Sequence, residues 1–126
     1  PWTLGEVLSG GIAGWVHRFV PGGPCYGCVA SHLQREAPSD PLAPAPDYSD
    51  PHGREETSIP ASRASIATIA GLHALLTLDL LADLRPVDTT SLLLPLKRVA
   101  GVFERPLVPL PFPIARAPSC FVCSPG

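Results

Sequence analysis

The chain has four cysteines, and they stand as two C-x-x-C pairs, Cys25-Tyr26-Gly27-Cys28 and Cys120-Phe121-Val122-Cys123, one near each end. Two residues between thiolates let both sulfurs of a knuckle face a single point. Two such knuckles supply the four soft ligands that tetrahedral zinc prefers, with Zn–S near ~2.3 Å. A shell closed by four thiolates keeps no coordination position for water or substrate. The pattern therefore predicts a structural Zn2+ held by Cys25, Cys28, Cys120 and Cys123, with no catalytic metal and no catalytic residue among them. Zinc joining distant thiolates contributes on the order of 10 kcal/mol of apparent binding free energy near neutral pH, against about 2–4 kcal/mol for a typical disulfide.

The same residue types permit other chemistry. Two separate C-x-x-C redox motifs need a thioredoxin-like strand and helix around each pair, a context that neither shows in the sequence. Disulfides belong to a secreted chain, and no basic region followed by an apolar run opens this one. An iron–sulfur cluster shares the ligand chemistry, and spacing does not separate it from zinc. Ligation by His32 would require a cysteine to be displaced.

Several elements must position the two knuckles. From Leu8 to Val20 the residues Trp15, His17 and Phe19 alternate with Val16, Arg18 and Val20, the period of a strand. Gly10, Gly11 and Gly14 at its beginning predict a bend or a tightly covering neighbour. Pro21-Gly22-Gly23-Pro24 then makes a turn that delivers Cys25. Residues 37–56 are rich in Pro, Asp and Ser and read as a long surface crossover, because they carry too little apolar surface for a core. Thr57 to Ser62 supplies hydroxyl caps and Pro60 for a helix over 60–84, ended by Arg85-Pro86. Ile66, Ile69, Ala70, His73, Leu76, Leu80 and Leu84 form one apolar stripe, and Leu72, Leu75 and Leu78 a second, which predicts a helix covered on more than one face, by a sheet on one side and a second subunit on the other. Short edge strands are expected over Ser91 to Leu96, Arg98 to Phe103 and Leu107 to Phe112, since prolines at 95, 106, 109, 111 and 113 remove ladder donors.

Composition bounds the function classes. The 126 residues suit one domain, which can bury roughly 65% of its unfolded surface. The net charge of −2, with no Lys/Arg block, gives no footprint for nucleic acid or anionic lipid. The apolar stretch from Ile66 to Leu84 is interrupted by His73, Asp79 and Asp83, so it reads as a buried helix of a cytoplasmic protein rather than a membrane span. The chain has no Met and opens on Pro1-Trp2, which suggests a segment of a longer protein.

The stretch GGIAGWVHRFVPGGPCYGC resembles the strand, turn and first zinc knuckle of ThiF/MoeB-type enzymes, the prokaryotic relatives of ubiquitin-activating enzymes. The order of parts is also similar: Cys25/Cys28, a crossover at 29–58, a long helix at 60–84, and terminal strands with the second knuckle at 91–126. The resemblance implies an α/β fold over residues 1–126, a mixed sheet with a long packed helix, forming the C-terminal half of a Rossmann-like ubiquitin-activating-type domain. It also implies a homodimer, and a full-length enzyme that uses ATP and Mg2+ to adenylate the C-terminal carboxylate of a ubiquitin-like or sulfur-carrier protein or peptide.

This chain departs from the family in two ways. The nucleotide site belongs to the preceding half, and Gly10-Gly11 and Gly22-Gly23 show no following helix pattern of a phosphate cradle. Some members carry a cysteine before the long helix, where Thr57 to Ser65 has none, so Ser58 and Ser62 read as helix caps. The segment alone is expected to be inactive. The alternative is a non-enzymatic zinc-binding module that recognises a peptide or carrier-protein tail.

Other polar residues read structurally. His73 is expected to be a core histidine bonded to an acceptor, His32 and His52 solvated, and His17 at a surface or interface. Arg54-Glu55-Glu56 reads as a soluble mixed-charge loop, with grip on a carrier tail as its functional reading, and Asp79 and Asp83 as exposed carboxylates. Trp15 and Phe19 read as core or subunit contacts.

Overall fold

The computed structural model of the chain describes residues 1–36, 61–83 and 89–124. Most of the expected crossover, with His52 and Arg54-Glu55-Glu56, and the helix stop at Arg85-Pro86 lie outside the described residues. Six main elements follow one another: β1 Trp2–Val7, β2 Ala13–Phe19, α1 Tyr26–Glu36, α2 Arg63–Leu81, β3 Ser91–Pro95 and β4 Leu110–Phe112. The strands form one sheet in the order β1-β2-β3-β4, and every pairing is antiparallel. The chain is thus a small α/β domain, and the mixed sheet expected from sequence is corrected. Between β1 and β2 the link is too short for the crossover that parallel neighbours need, so the two strands close as a hairpin.

That link is a single 3-10 turn at Ser9–Gly11. Gly10 and Gly11 both take positive φ, 72° and 60°, and the Leu8 amide donates to the Ala13 carbonyl at 2.9 Å. The single strand expected over Leu8 to Val20 is therefore β2 alone, and β1 is an additional strand before it. An alternation of Thr3, Gly5 and Val7 with Leu4 and Glu6 is too polar and too short of β-branched residues to announce β1.

One face of the hairpin carries α2. Gly14 lies directly beneath Ile69: a Cβ there would stand 2.4 Å from Ile69 Cγ1 and 2.8 Å from the Glu6 carbonyl oxygen. The glycine expected to mark close coverage does so. Ser62 is the N-cap, its hydroxyl accepting from the Ser65 amide at 3.1 Å, and Ala82 and Asp83 (φ 52°) close the other end. Along the helix Ser65, Ile69 and Leu76 are buried. Polar bonds complete the contact: Ser65 Oγ donates to the Gly11 carbonyl at 3.2 Å, and Thr3 Oγ1 meets His73 Nε2 at 2.9 Å and Thr77 Oγ1 at 2.8 Å. His73 is bonded as its stripe predicts, but it is half-buried and not a core residue.

Within this chain the described residues cover α2 on one side. Leu75, Leu78 and Leu81 are 63%, 60% and 70% exposed, and Ile66 is also exposed. Asp79 is half-buried and Asp83 exposed. By length and composition alone α2 could cross a membrane, with a mean hydropathy of 1.6 over 18 residues, of which 11% are buried. A spanning helix packed on an open sheet would carry strand edges into hydrocarbon, at several kcal/mol for each unpaired backbone group.

The opposite sheet face meets α1. Phe19, Val29 and Ile114 are buried together there, with Leu4, Leu33 and Phe112 packed against them. Each such side chain contributes roughly 1.5–3 kcal/mol when fully buried. α1 occupies residues that the sequence assigned to the start of the crossover; Val29 and Leu33, four apart on one helix face, explain why this stretch folds. His32 is half-buried in the same helix.

After β3, the strand expected over Arg98 to Phe103 is instead a tight turn with a Val99–Phe103 bridge. Gly101 takes φ 76°, and the Glu104 carboxylate accepts from the Gly101 amide at 2.8 Å and from Arg98 at 3.0 Å, which holds its pKa below the ordinary value. β4 is shorter than the expected Leu107 to Phe112, and its Pro111 fits an edge position.

Candidate metal centre

β2 leads through the Pro21 to Pro24 turn to α1, and this junction sets the first knuckle. The Cys25 carbonyl accepts from the amides of Cys28 and Val29 at 3.0 and 3.2 Å, so Cys25 begins the helix and Cys28 lies in its first turn. A helix N-terminus favours thiolate over thiol. The second knuckle is a turn after β4, closed by the Cys120 amide on the Ala117 carbonyl at 3.2 Å and the Ser124 amide on the Cys120 carbonyl at 2.8 Å. Arg116 also donates to the Cys123 carbonyl.

The two knuckles meet. All four sulfurs lie within 4.8 Å of one another, with Cys25–Cys28 at 3.8 Å, Cys25–Cys120 at 3.6 Å and Cys28–Cys123 at 3.5 Å. A tetrahedron with metal–sulfur bonds of ~2.3 Å has edges of ~3.8 Å, so the spacing suits one four-coordinate ion. It is far longer than a disulfide bond of ~2.05 Å, and all four cysteines are free. The donor set and the spacing fit a single thiophilic metal ion, and no histidine joins the cluster among the described residues.

Close approach of the knuckles depends on Gly27. A Cβ at this position would stand 2.9 Å from Val122 Cγ2 and 3.5 Å from Cys120 Sγ. Backbone donors also face the sulfurs, as in the Ala117 amide at 3.4 Å from Cys28 Sγ. Among the four sulfurs alone, the amides of Val122 and Cys123 bring Cys120 down to about 6, while burial and neighbouring sulfurs push Cys123 up to about 11. For Cys28, burial acts upward but backbone hydrogen bonds at Ala117 and Cys25 prevail, and its pKa falls. A central cation would favour the thiolate at every position.

Two sequence-level statements change here. The first C-x-x-C does have a strand, turn and helix around it, as does Gly22-Gly23. Convergence with the second pair nevertheless makes one four-sulfur centre instead of two redox sites.

Sequence reasoning missed a polar chain beside the centre. His17, expected at a surface or interface, is 0% exposed. Its Nδ1 lies 2.8 Å from Ser91 Oγ and its Nε2 lies 3.2 Å from Glu6 Oε2; Tyr26, inside the first knuckle, donates to Glu6 Oε1 at 3.2 Å. A carboxylate only accepts, so Nε2 of the neutral ring carries the proton and Nδ1 accepts from the Ser91 hydroxyl. The residue types match a nucleophile relay, but Ser91 is also 0% exposed, so no substrate reaches it. The signal was present in the alternation: His17 shares its strand face with Trp15, which stacks on it, and with buried Phe19.

Burial holds the pKa of His17 below 6.5, against a smaller upward pull from Glu6. The unfolded chain therefore binds more protons at His17 than the folded chain does. This contribution is fully present above pH 6.5 and is lost as the pH falls from there towards the folded pKa. In paired denaturant titrations between pH 7.5 and 5.5, we expect His17→Gln to show a shallower loss of stability on acidification than the parent. Equal slopes would contradict the assignment.

No protein-family model matches the chain, and comparison with curated proteins and with solved structures gave no significant match.

Proposed function

We propose that this chain is a zinc-clasped binding module that recognises the tail of a peptide or carrier protein without activating it. The observation that carries the reading is the closed four-sulfur centre, Cys25, Cys28, Cys120 and Cys123, which joins the start of α1 to the turn after β4. Zn2+ is the ion whose coordination number, softness and lack of redox chemistry best suit such a shell. Its role is structural, because no ligand position remains for a substrate.

The tail site we assign is the outer edge of β1, which ends the sheet among the described residues. Beside it lies a cleft of about 160 Å³ lined by Gly5, Val7, Ile66, Ile69, Ala70 and His73. An extended tail paired with β1 would gain main-chain hydrogen bonds from the strand and set alternate side chains in this cleft. The cytoplasm, where thiols stay reduced, suits such a site. A homodimer contact over the exposed side of α2 would bury Leu75, Leu78 and Leu81.

To test the tail site, a synthetic peptide with a free C-terminal carboxylate is titrated into the zinc-loaded chain and followed by amide chemical shifts. Changes confined to β1 and the facing turns of α2 are expected, and Ile66→Glu, on the exposed rim, should weaken binding by tenfold or more, about 1.4 kcal/mol. Shifts elsewhere, or an unaffected variant, would remove β1 as the site.

A second reading is favoured by the order of parts. A glycine-rich hairpin leads into the first knuckle, a long helix lies across that hairpin, and β3 and β4 precede the second knuckle. That order is what the likeness to the C-terminal half of a ThiF/MoeB-type adenylyltransferase implies. In this reading ATP and Mg2+ belong to a preceding half, and the present segment shapes the carrier groove. ATP–pyrophosphate exchange by a longer form, and none by this chain, would favour the enzyme.

A further inference from the structure

The four cysteines are unequally exposed. Cys28 and Cys120 are buried, at 2% and 6% exposure, whereas Cys25 and Cys123 are half-buried. Each knuckle thus offers one more exposed cysteine and one buried cysteine. The sulfur of the more exposed cysteine of one knuckle stands against that of the buried cysteine of the other: Cys25 lies 3.6 Å from Cys120, and Cys123 lies 3.5 Å from Cys28. Within the first knuckle the separation is 3.8 Å.

We propose that the metal clasp is also an oxidation-sensitive clasp, which a peroxide converts into two crossed disulfides, Cys25–Cys120 and Cys28–Cys123, with release of zinc. The inference rests on the zinc reading above. In the first step the thiolate of the more exposed cysteine of a pair attacks the peroxide O–O bond. That bond breaks, the sulfur becomes a sulfenic acid, and hydroxide leaves and is protonated to water. The facing thiolate then attacks the sulfenic sulfur; an S–S bond forms, the S–O bond breaks, and a second hydroxide leaves as water. Two electrons pass from each sulfur pair to one peroxide. When both pairs have reacted no thiolate remains, and Zn2+ dissociates.

Crossed pairing also decides what happens to the fold. A Cys25–Cys28 bridge closes a loop of a few residues and leaves the chain ends unjoined. Bridges between the knuckles span most of the chain and remove far more freedom from the unfolded state. Oxidation would therefore replace one tie by another, whereas chelation removes the tie altogether.

The experiment uses the zinc-loaded chain, hydrogen peroxide and a chromogenic zinc indicator. About two equivalents of peroxide should be consumed for each zinc released. Non-reducing trypsin digestion cuts after Arg18, Arg35 and Arg116, which puts Cys25 and Cys28 in one peptide and Cys120 and Cys123 in another. Crossed bridges join these two peptides, while bridges within the knuckles leave them separate. Chymotryptic cleavage after Tyr26 and Phe121 then separates the cysteines of each pair and reads the connectivity. The oxidised, zinc-free chain should keep the circular dichroism of the zinc form and lose it on reduction in the presence of chelator. Separate peptides, Cys25–Cys123 and Cys28–Cys120 linkage, or zinc loss with unfolding would each overturn the proposal while leaving the zinc site intact. A chain that binds no zinc when fully reduced would overturn both.

Discussion

Replacing Cys120 by Ser, or treating the reduced chain with a strong chelator, is expected to abolish cooperative folding. Structural zinc in small domains is worth on the order of 10 kcal/mol, and the total stability of a domain is about 5–15 kcal/mol. Among the described residues the core divides between the two sheet faces: Phe19, Val29 and Ile114 are buried together under α1, and α2 buries Ser65, Ile69 and Leu76 along one side. The substitution also leaves a 6%-exposed hydroxyl where a sulfur met Cys25 and Gly27, so a weaker metal shell does not recover the packing. Circular dichroism should show loss of the sheet signal, and the urea transition should become non-cooperative. Acid should act in the same direction, since protons compete with the metal for all four thiolates. A Cys120→Ser chain that melts cooperatively within a few degrees of the parent would contradict this expectation.

Substitution of Gly14 is expected to have the next largest effect. A Cβ at 2.4 and 2.5 Å from Ile69 side-chain carbons and 2.8 Å from the Glu6 carbonyl cannot be accommodated by a rotamer change alone, because one of the neighbours is backbone of the paired strand. α2 must lift from the hairpin, which loosens Ile69 and the Ser65 contact to Gly11 together. Overpacking of this kind costs about 1–3 kcal/mol for Gly14→Ala and more for Gly14→Val. The melting temperature should fall by roughly 4 °C per kcal/mol. Gly71 in the same helix serves as the control, since a Cβ there meets nothing within 4 Å. Gly71→Ala should stabilise by about 0.5–1 kcal/mol, because alanine loses less backbone freedom in a helix. If Gly14→Ala matched Gly71→Ala, α2 would not lie on β2 as described.

The contrast between these two glycines shows what could be read from the sequence. Gly14 lies in a strand pattern, where a missing side chain signals close approach, and the approach is there. The cysteine pairs were legible for a similar reason: spacing constrains sulfur geometry within a knuckle, and two half-shells have one economical way to combine. Ser62 as a cap and the apolar run announced α2, which spans Arg63–Leu81 within the expected 60–84, but how much of it this chain buries did not follow from the pattern. Apolar stripes on several sides report how much surface a helix could hide, not how much this domain hides, and Leu75, Leu78 and Leu81 remain exposed.

Other features depended on partners distant in sequence. Pairing direction is set by how turns close, so the alternation in β2 was visible while an antiparallel β1 before it was not. The start of α1 was obscured because it follows a Pro-Gly turn and offers only a short apolar stripe, Val29 and Leu33, before the Pro-rich stretch. For His17, the alternation gave the face, but its neutral state depends on burial and its tautomer on Glu6 and Ser91, which only the hairpin and β3 bring to it. The Arg98 to Phe103 segment has strand-like residue types, yet the Glu104 carboxylate and Gly101 at positive φ fold it into a turn.

The central claim is that both knuckles hold one ion, and X-ray absorption at the zinc edge on the purified, reduced chain tests it most directly. One zinc per chain is expected, with a first shell of four sulfurs at ~2.3 Å and no nitrogen or oxygen ligand. A folded chain without metal, or a shell in which nitrogen or oxygen replaces any of the four cysteine sulfurs, would contradict it.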